Sequence, residues 1–238
     1  MRRAGRRRAL GEGGATIVEA AIVLPVLFTL FFGVMEVGGM LKANSSAANA
    51  VRSGSREASV QGNSGFADES IMIRMTQEAA GFDKDEIEYV AIWHATGVGD
   101  VVPSGCKVAN PISPNTASVG VADGGIAVDA VGACNVFIRP AAVGGAFDMA
   151  NGRASQPATY YYGCTGTTDP AASHKIDCNW APTNRRINSN KAGDPIKPPD
   201  YLGVYIQAKH SYYTRLFGKS ITITDTAITL IEPQGYDP

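Results

Sequence analysis

Four cysteines, three histidines and a scattering of carboxylates are the side chains whose spacing could carry chemistry. Cys106, Cys134, Cys164 and Cys178 contain no CxxC pair. An even number of cysteines in an oxidising compartment favours disulfides, and four cysteines allow three connectivities. Sequential pairing, Cys106 with Cys134 and Cys164 with Cys178, is the preferred reading because it closes two separate loops; the sequence leaves the other two open. Cys164, His174 and Cys178 would offer three metal ligands, but their spacing fits no structural zinc pattern. There is no GxSxG elbow, no GxxxxGK phosphate loop, no HExxH pair and no GxGxxG after a strand. His94, His174 and His210 are scattered, and His94 beside Trp93 reads as a structural residue. Tyr160-Tyr161-Tyr162, Tyr212 and Tyr213 read as packing residues or, less commonly, as a binding patch. No catalytic couple emerges, so the expectation is a non-enzymatic protein with no cofactor, no metal and no small-molecule substrate. One acid remains to be explained. Glu19 stands five places after Gly14, inside an apolar run.

The element that positions Glu19 reads as a membrane helix. From Ala15 to Leu41 only Glu19 and Glu36 carry charge, and the stretch from Ala20 to Met35 has none. About 20 apolar residues at ~1.5 Å each cross a ~30 Å hydrocarbon layer. The two glutamates lie 17 positions apart, roughly 25 Å along a helix, which puts one near each interface rather than in mid-bilayer. Glu36 is accordingly read as an interfacial acid. Five arginines (Arg2, Arg3, Arg6, Arg7, Arg8) precede the run, and only Lys42 and Arg52 closely follow it. That asymmetry predicts a single-pass membrane protein with its N-terminus in the cytoplasm and its bulk outside. All four cysteines then fall on the oxidising side.

Net charge agrees. The whole chain is −1 and residues 1–14 are +4, which leaves −5 for the rest. Cations confined to a tail do not make a nucleic-acid surface. The organisation expected is a basic leader (1–14), a transmembrane helix (15–41), a helical extension (42–60) and an extracytoplasmic domain (61–238). In that domain, Asp68–Ala80 reads as a helix because Ile71, Met75 and Ala79 recur every four residues and Gly81 follows. Ile87–His94, Asn135–Arg139, Thr159–Gly163 and Tyr201–His210 read as strands, the last with Leu202, Val204, Ile206 and Ala208 on one face. Ile221–Ile231 is also a strand, with a shift in its alternation near Asp225 that predicts a bulge. Residues 97–200 are rich in Gly, Pro and Ser and form a loop-rich insertion. The fold class predicted is α+β: a long N-terminal transmembrane helix continuing into an ectodomain with a small antiparallel sheet and a disulfide-bearing insertion.

Fixed polar and breaker residues inside the apolar run narrow the reading. Gly14, Ala15, Val18, Glu19, Ala21 and Pro25 are followed by Glu36-Val37-Gly38 and then by Ala50-Val51-Arg52-Ser53-Gly54-Ser55-Arg56. This pattern resembles the TadE-like pseudopilins of the tight-adherence (Flp-type) pilus assembly system. The resemblance implies a minor pseudopilin or assembly component acting through packing of its N-terminal helix. It implies as partners other pilins and pseudopilins, pilus assembly proteins, membrane lipid and a prepilin peptidase cutting between Gly14 and Ala15. Glu19, fifth residue after such a cut, would pair with the new amine of a neighbouring subunit. A glycine before the bond lets the backbone enter an active site without a side-chain clash. Gly13 departs from the family habit of a basic residue there. Pro25 either simply kinks the helix or helps it curve into a bundle. Arg52 and Arg56 share a helical face and meet either solvent, or lipid headgroups and partners. The alternative function is a membrane-anchored binding module, adhesin or sensor, whose helix is only a tether.

Overall fold

The computed structural model describes residues 12–65, 67–83, 86–107, 130–138, 180, 182, 184–187, 198–215 and 218–232, with the backbone turn continuing through 183. The basic tail 1–11, the expected strand Thr159–Gly163, the Tyr160-Tyr161-Tyr162 cluster, His174, Cys164 and Cys178 lie outside them.

Helix α1 (Glu12–Gln61) runs for 50 residues without a break, through the composition change at Leu41–Lys42. Pro25 lies inside it, where it cannot donate the usual backbone hydrogen bond. Thr29 Oγ1 donates to the Pro25 carbonyl at 2.8 Å. Helix α2 (Ala67–Glu78) follows after a short turn at Gly62 and lies against the C-terminal half of α1. Asp68 and Glu69 in its first turn suit the positive end of the helix dipole.

Four strands, β1 (Ile87–Ala95), β2 (Cys134–Ile138), β3 (Tyr201–Ser211) and β4 (Ser220–Leu230), form one antiparallel sheet in the order β2-β1-β3-β4. One face packs on the helices. Val90, Ile92, Phe137, Leu202, Val204, Ile206, Ala208 and Ile223 meet Ala43, Ala47, Ala50, Val51 and Ala58 of α1 and Ile71, Met72 and Met75 of α2. The α1 residues are mostly alanines, so the sheet comes close to the helix backbone. Burial of Ile71, Met72 and Met75 contributes about 1.5–3 kcal/mol each. The opposite face carries a second cluster of Tyr89, Ala91, Trp93, Cys106, Cys134, Val136 and Tyr205. Burial on both faces explains why β1 reads as a continuous apolar run instead of an alternation. Trp93 lies over Gly203, where a Cβ would come within 2.2 Å of its indole.

The bulge expected near Asp225 is not there. Pairing of β3 with β4 runs unbroken from Tyr201↔Leu230 through Ile206↔Asp225 to Ser211↔Ser220. Ile221, Ile223, Ala227 and Ile231 keep one parity toward the helices, while Ile228 belongs to the second cluster. Two apolar faces overlapping in one strand imitate a change of phase. The irregularity of this sheet lies instead in β1, between Ile87 and Tyr89, and leaves Glu88 as the extra residue.

Candidate functional site

From Thr16 to Met35 every residue of α1 is exposed apart from Gly33, which is half-buried. Large apolar side chains point outward all round this stretch, including Ile22, Leu27, Phe31 and Val34. Phe28 and Phe32 stack with ring centroids 6.3 Å apart, and Phe31 meets Phe32 edge-on at 5.7 Å. The helix is long and apolar enough to cross a membrane. A helix apolar on every side is stable only where no water touches it. Gly14 and Ala15 lie in the first turn of α1, and Val18, Glu19, Ala21 and Pro25 are all exposed along it.

Two residues past Val34 the environment inverts. Val34 is 74% exposed and Glu36 is 1% exposed. The Glu36 carboxylate is held by the turn joining β3 to β4. Tyr213 N–H donates to Oε2 at 3.1 Å, Thr214 N–H donates to Oε1, and the Thr214 hydroxyl donates to Oε1 at 2.7 Å. The Arg215 N–H faces the same group. Successive backbone N–H groups converging on one anion form a concave nest. Arg215 adopts φ +60°, the left-handed region, which an arginine enters only under constraint. The Glu36 side chain is thus turned into the protein and fastens the hairpin to the helix. Gly39 lies under the same turn: a Cβ there would come within 3.4 Å of His210 Nε2 and of the Tyr213 ring. At Gly38 a Cβ would meet nothing within 4 Å.

A second fastening lies at the far end of β4. Ser59 Oγ donates to the Leu230 carbonyl at 3.0 Å, and Glu232 N–H donates to the Ser59 carbonyl at 3.0 Å. Glu36 and Ser59 are about 35 Å apart along the helix, close to the ~34 Å length of an 11-residue strand. The hairpin therefore lies along the helix and points its turn toward the apolar stretch.

Gly54 sits on α1 facing α2 closely: a Cβ would come within 2.5 Å of Met75 Cγ and 3.4 Å of Ile71 Cγ2. Its neighbours Arg52 and Arg56 are exposed. Glu57 Oε2 pairs with Arg74 Nε at 3.3 Å across the two helices, a surface pair worth little.

The remaining polar groups act as ties within the folded part beyond the apolar stretch. Asp68 accepts from Arg185 Nη2 and, at 2.8 Å, from Asn135 Nδ2. Asn135 also brackets the Trp180 backbone, donating to its carbonyl at 2.8 Å and accepting from its N–H at 3.1 Å. Trp180 stacks on His94 at 4.7 Å and lies under the Arg185 guanidinium at 4.5 Å. His94 Nε2 is 3.3 Å from Asp200 Oδ1. Burial pushes the Asp200 carboxyl up, but the hydrogen bonds from His94 and the Arg186 N–H, with the charges of both side chains, hold it below its ordinary value. This group joins α2, β1, β2 and the segment before β3, and sequence reasoning did not anticipate it because its members are far apart in the chain. Cys106 and Cys134 form a disulfide with Cα atoms 6.0 Å apart. Among the described residues no three His, Cys, Asp or Glu side chains gather as a metal-binding group.

The family model for TadE-like protein matches residues 14–56, from the first turn of α1 to the second arginine beside Gly54. The match takes in under a fifth of the chain and leaves out α2 and the sheet. No curated protein and no solved structure matches the chain.

Proposed function

We propose that this chain, TadE-like over residues 14–56, is a non-enzymatic minor pseudopilin or assembly component of a tight-adherence pilus. The observation that carries this reading is the bare inner half of α1. It lies within the family match, it is apolar on every side, and the chain's own fold covers none of its described length from Thr16 to Met35 except, in part, Gly33. Lipid alone would accept such a surface; Glu19 within it is what calls for other helices. A carboxylate near the inner edge of the hydrocarbon still gains from a partner of opposite charge, and a neighbouring subunit's amine, freed by cleavage between Gly14 and Ala15, would offset it. Pro25, six residues on, leaves a backbone carbonyl without its usual donor and lets the helix bend within a bundle. The N-terminus would lie in the cytoplasm and the sheet outside the membrane. The separate ATPase, platform and peptidase of such a system would do the work of assembly.

The test is Glu19→Ala in cells that build the pilus. Fibre assembly is expected to be lost, with the protein still in the membrane at its normal level, and N-terminal sequencing of the unmodified protein is expected to begin at Ala15. Undiminished assembly with Glu19→Ala would leave α1 as a tether and favour the anchored binding module instead.

A further inference from the structure

We infer that the turn between β3 and β4 is a second membrane contact, a foot that rests on the anionic headgroups at the outer surface of the bilayer. This inference rests on the reading of α1 as a membrane span. Its first support is position. Thr16 to Met35 at ~1.5 Å per residue fills the ~30 Å hydrocarbon layer, so Glu36 stands at its outer edge. The turn is bonded to Glu36 through Tyr213 and Thr214. It is therefore held at headgroup depth by the same residue that marks the end of the apolar stretch.

Its second support is composition. Residues 209–219 carry Lys209, Arg215 and Lys219 and no acid, in a chain whose residues beyond 14 are net negative. All three cations are exposed, and Tyr213 is 75% exposed. Tyrosine with arginine or lysine is the pairing that settles at a membrane surface: the ring suits the boundary and the cation meets phosphate. The acids nearest this turn are already engaged. Glu36 is enclosed by the turn's own N–H groups, and Glu86 accepts from Ser211 N–H at 2.8 Å and lies 3.3 Å from His210 Nδ1. The cations are thus left facing outward with no described carboxylate set against them across the turn. The third support is the backbone: Arg215, at φ +60°, also turns its N–H to Glu36, so the residue that carries the cation is itself tied to the helix.

The test uses the full chain reconstituted in lipid nanodiscs, with Tyr213→Trp as a reporter, since Trp93 and Trp180 are buried within the fold. Quenching is read from nitroxide lipids labelled at the headgroup or deep in the acyl chain. We expect quenching by the headgroup label, stronger with phosphatidylglycerol than in phosphatidylcholine alone and weakened by salt. Arg215→Gly with Lys219→Ser should abolish the phosphatidylglycerol dependence, which at roughly fivefold per cation amounts to about 25-fold in surface partition. Glycine relieves the positive φ, so the loss cannot be laid to a strained turn, and an unchanged melting temperature checks the fold. No quenching by either label in protein retained in the disc would overturn the foot and leave the membrane span standing. Quenching indifferent to lipid charge and to both substitutions would overturn the headgroup contact. Protein not retained in the disc would overturn the span and the foot together.

Discussion

Glu19 and Glu36 are the same residue on the same helix, 17 positions apart, in opposite surroundings. Glu19 is exposed in a stretch that its own fold leaves bare; Glu36 is buried, with donors of the hairpin turn from Tyr213, Thr214 and Arg215 around it. An acid at the edge of an apolar run needs compensation in either place. For Glu36 the chain supplies it. For Glu19 no described residue of its own fold covers it, and that difference divides α1 into a half packed on the sheet and α2 and a half that the fold leaves bare.

The sharpest way to break that division is to remove each acid in turn. Glu19→Ala should abolish assembly and leave the melting temperature of the ectodomain unchanged, by calorimetry in detergent. Glu36→Ala should lower that temperature and release the protection of the Tyr213 and Thr214 amides in hydrogen exchange. If Glu19→Ala destabilised the ectodomain, the two halves of the helix would not be independent. Next in size, replacing Cys106 and Cys134 with serine should cost about 3–4 kcal/mol, the loop-entropy estimate for a separation of 28 residues. Chemical denaturation would measure it, and membrane insertion should not change. Gly54→Leu drives a side chain into Met75 and should cost about 1–3 kcal/mol. Gly38→Ala, with nothing within 4 Å, should be neutral or stabilising by up to ~1 kcal/mol; any loss of assembly with Gly38→Ala would then mark a contact with a partner. The smallest effect is that of pH. The folded Asp200 carboxyl titrates below its usual value, so its contribution is complete above about pH 4 and is lost as acid carries the pH down through the folded value. Melting curves of Asp200→Asn should lie flatter across that window than those of the unmodified protein.

Much of this was legible in the residues. The apolar run, the four-residue spacing of Ile71, Met75 and Ala79, and the alternation from Leu202 to Ala208 each report local geometry, and α1, α2 and β3 follow them. Cys106–Cys134 was one choice among three, and the structure has it because Cys134 begins β2 opposite Trp93, in the cluster that also buries Cys106. What could not be read depends on partners distant in sequence. Depth in the membrane can be counted along a helix, but the donors to Glu36 lie 177 and 178 residues away. Asp68 likewise meets Asn135 and Arg185 across 67 and 117 residues. The supposed bulge at Asp225 failed for the same reason, since Ile228 takes its place from the second cluster and not from its neighbours in the chain.

The paired fastenings at Glu36 and Ser59 make α1 and β4 a braced beam. Secured at two points so far apart, the sheet cannot swivel about the helix, and any rotation of the helix about its long axis carries the ectodomain round through the same angle. The direction the sheet faces is then a dial for how the bare apolar stretch of the helix is turned.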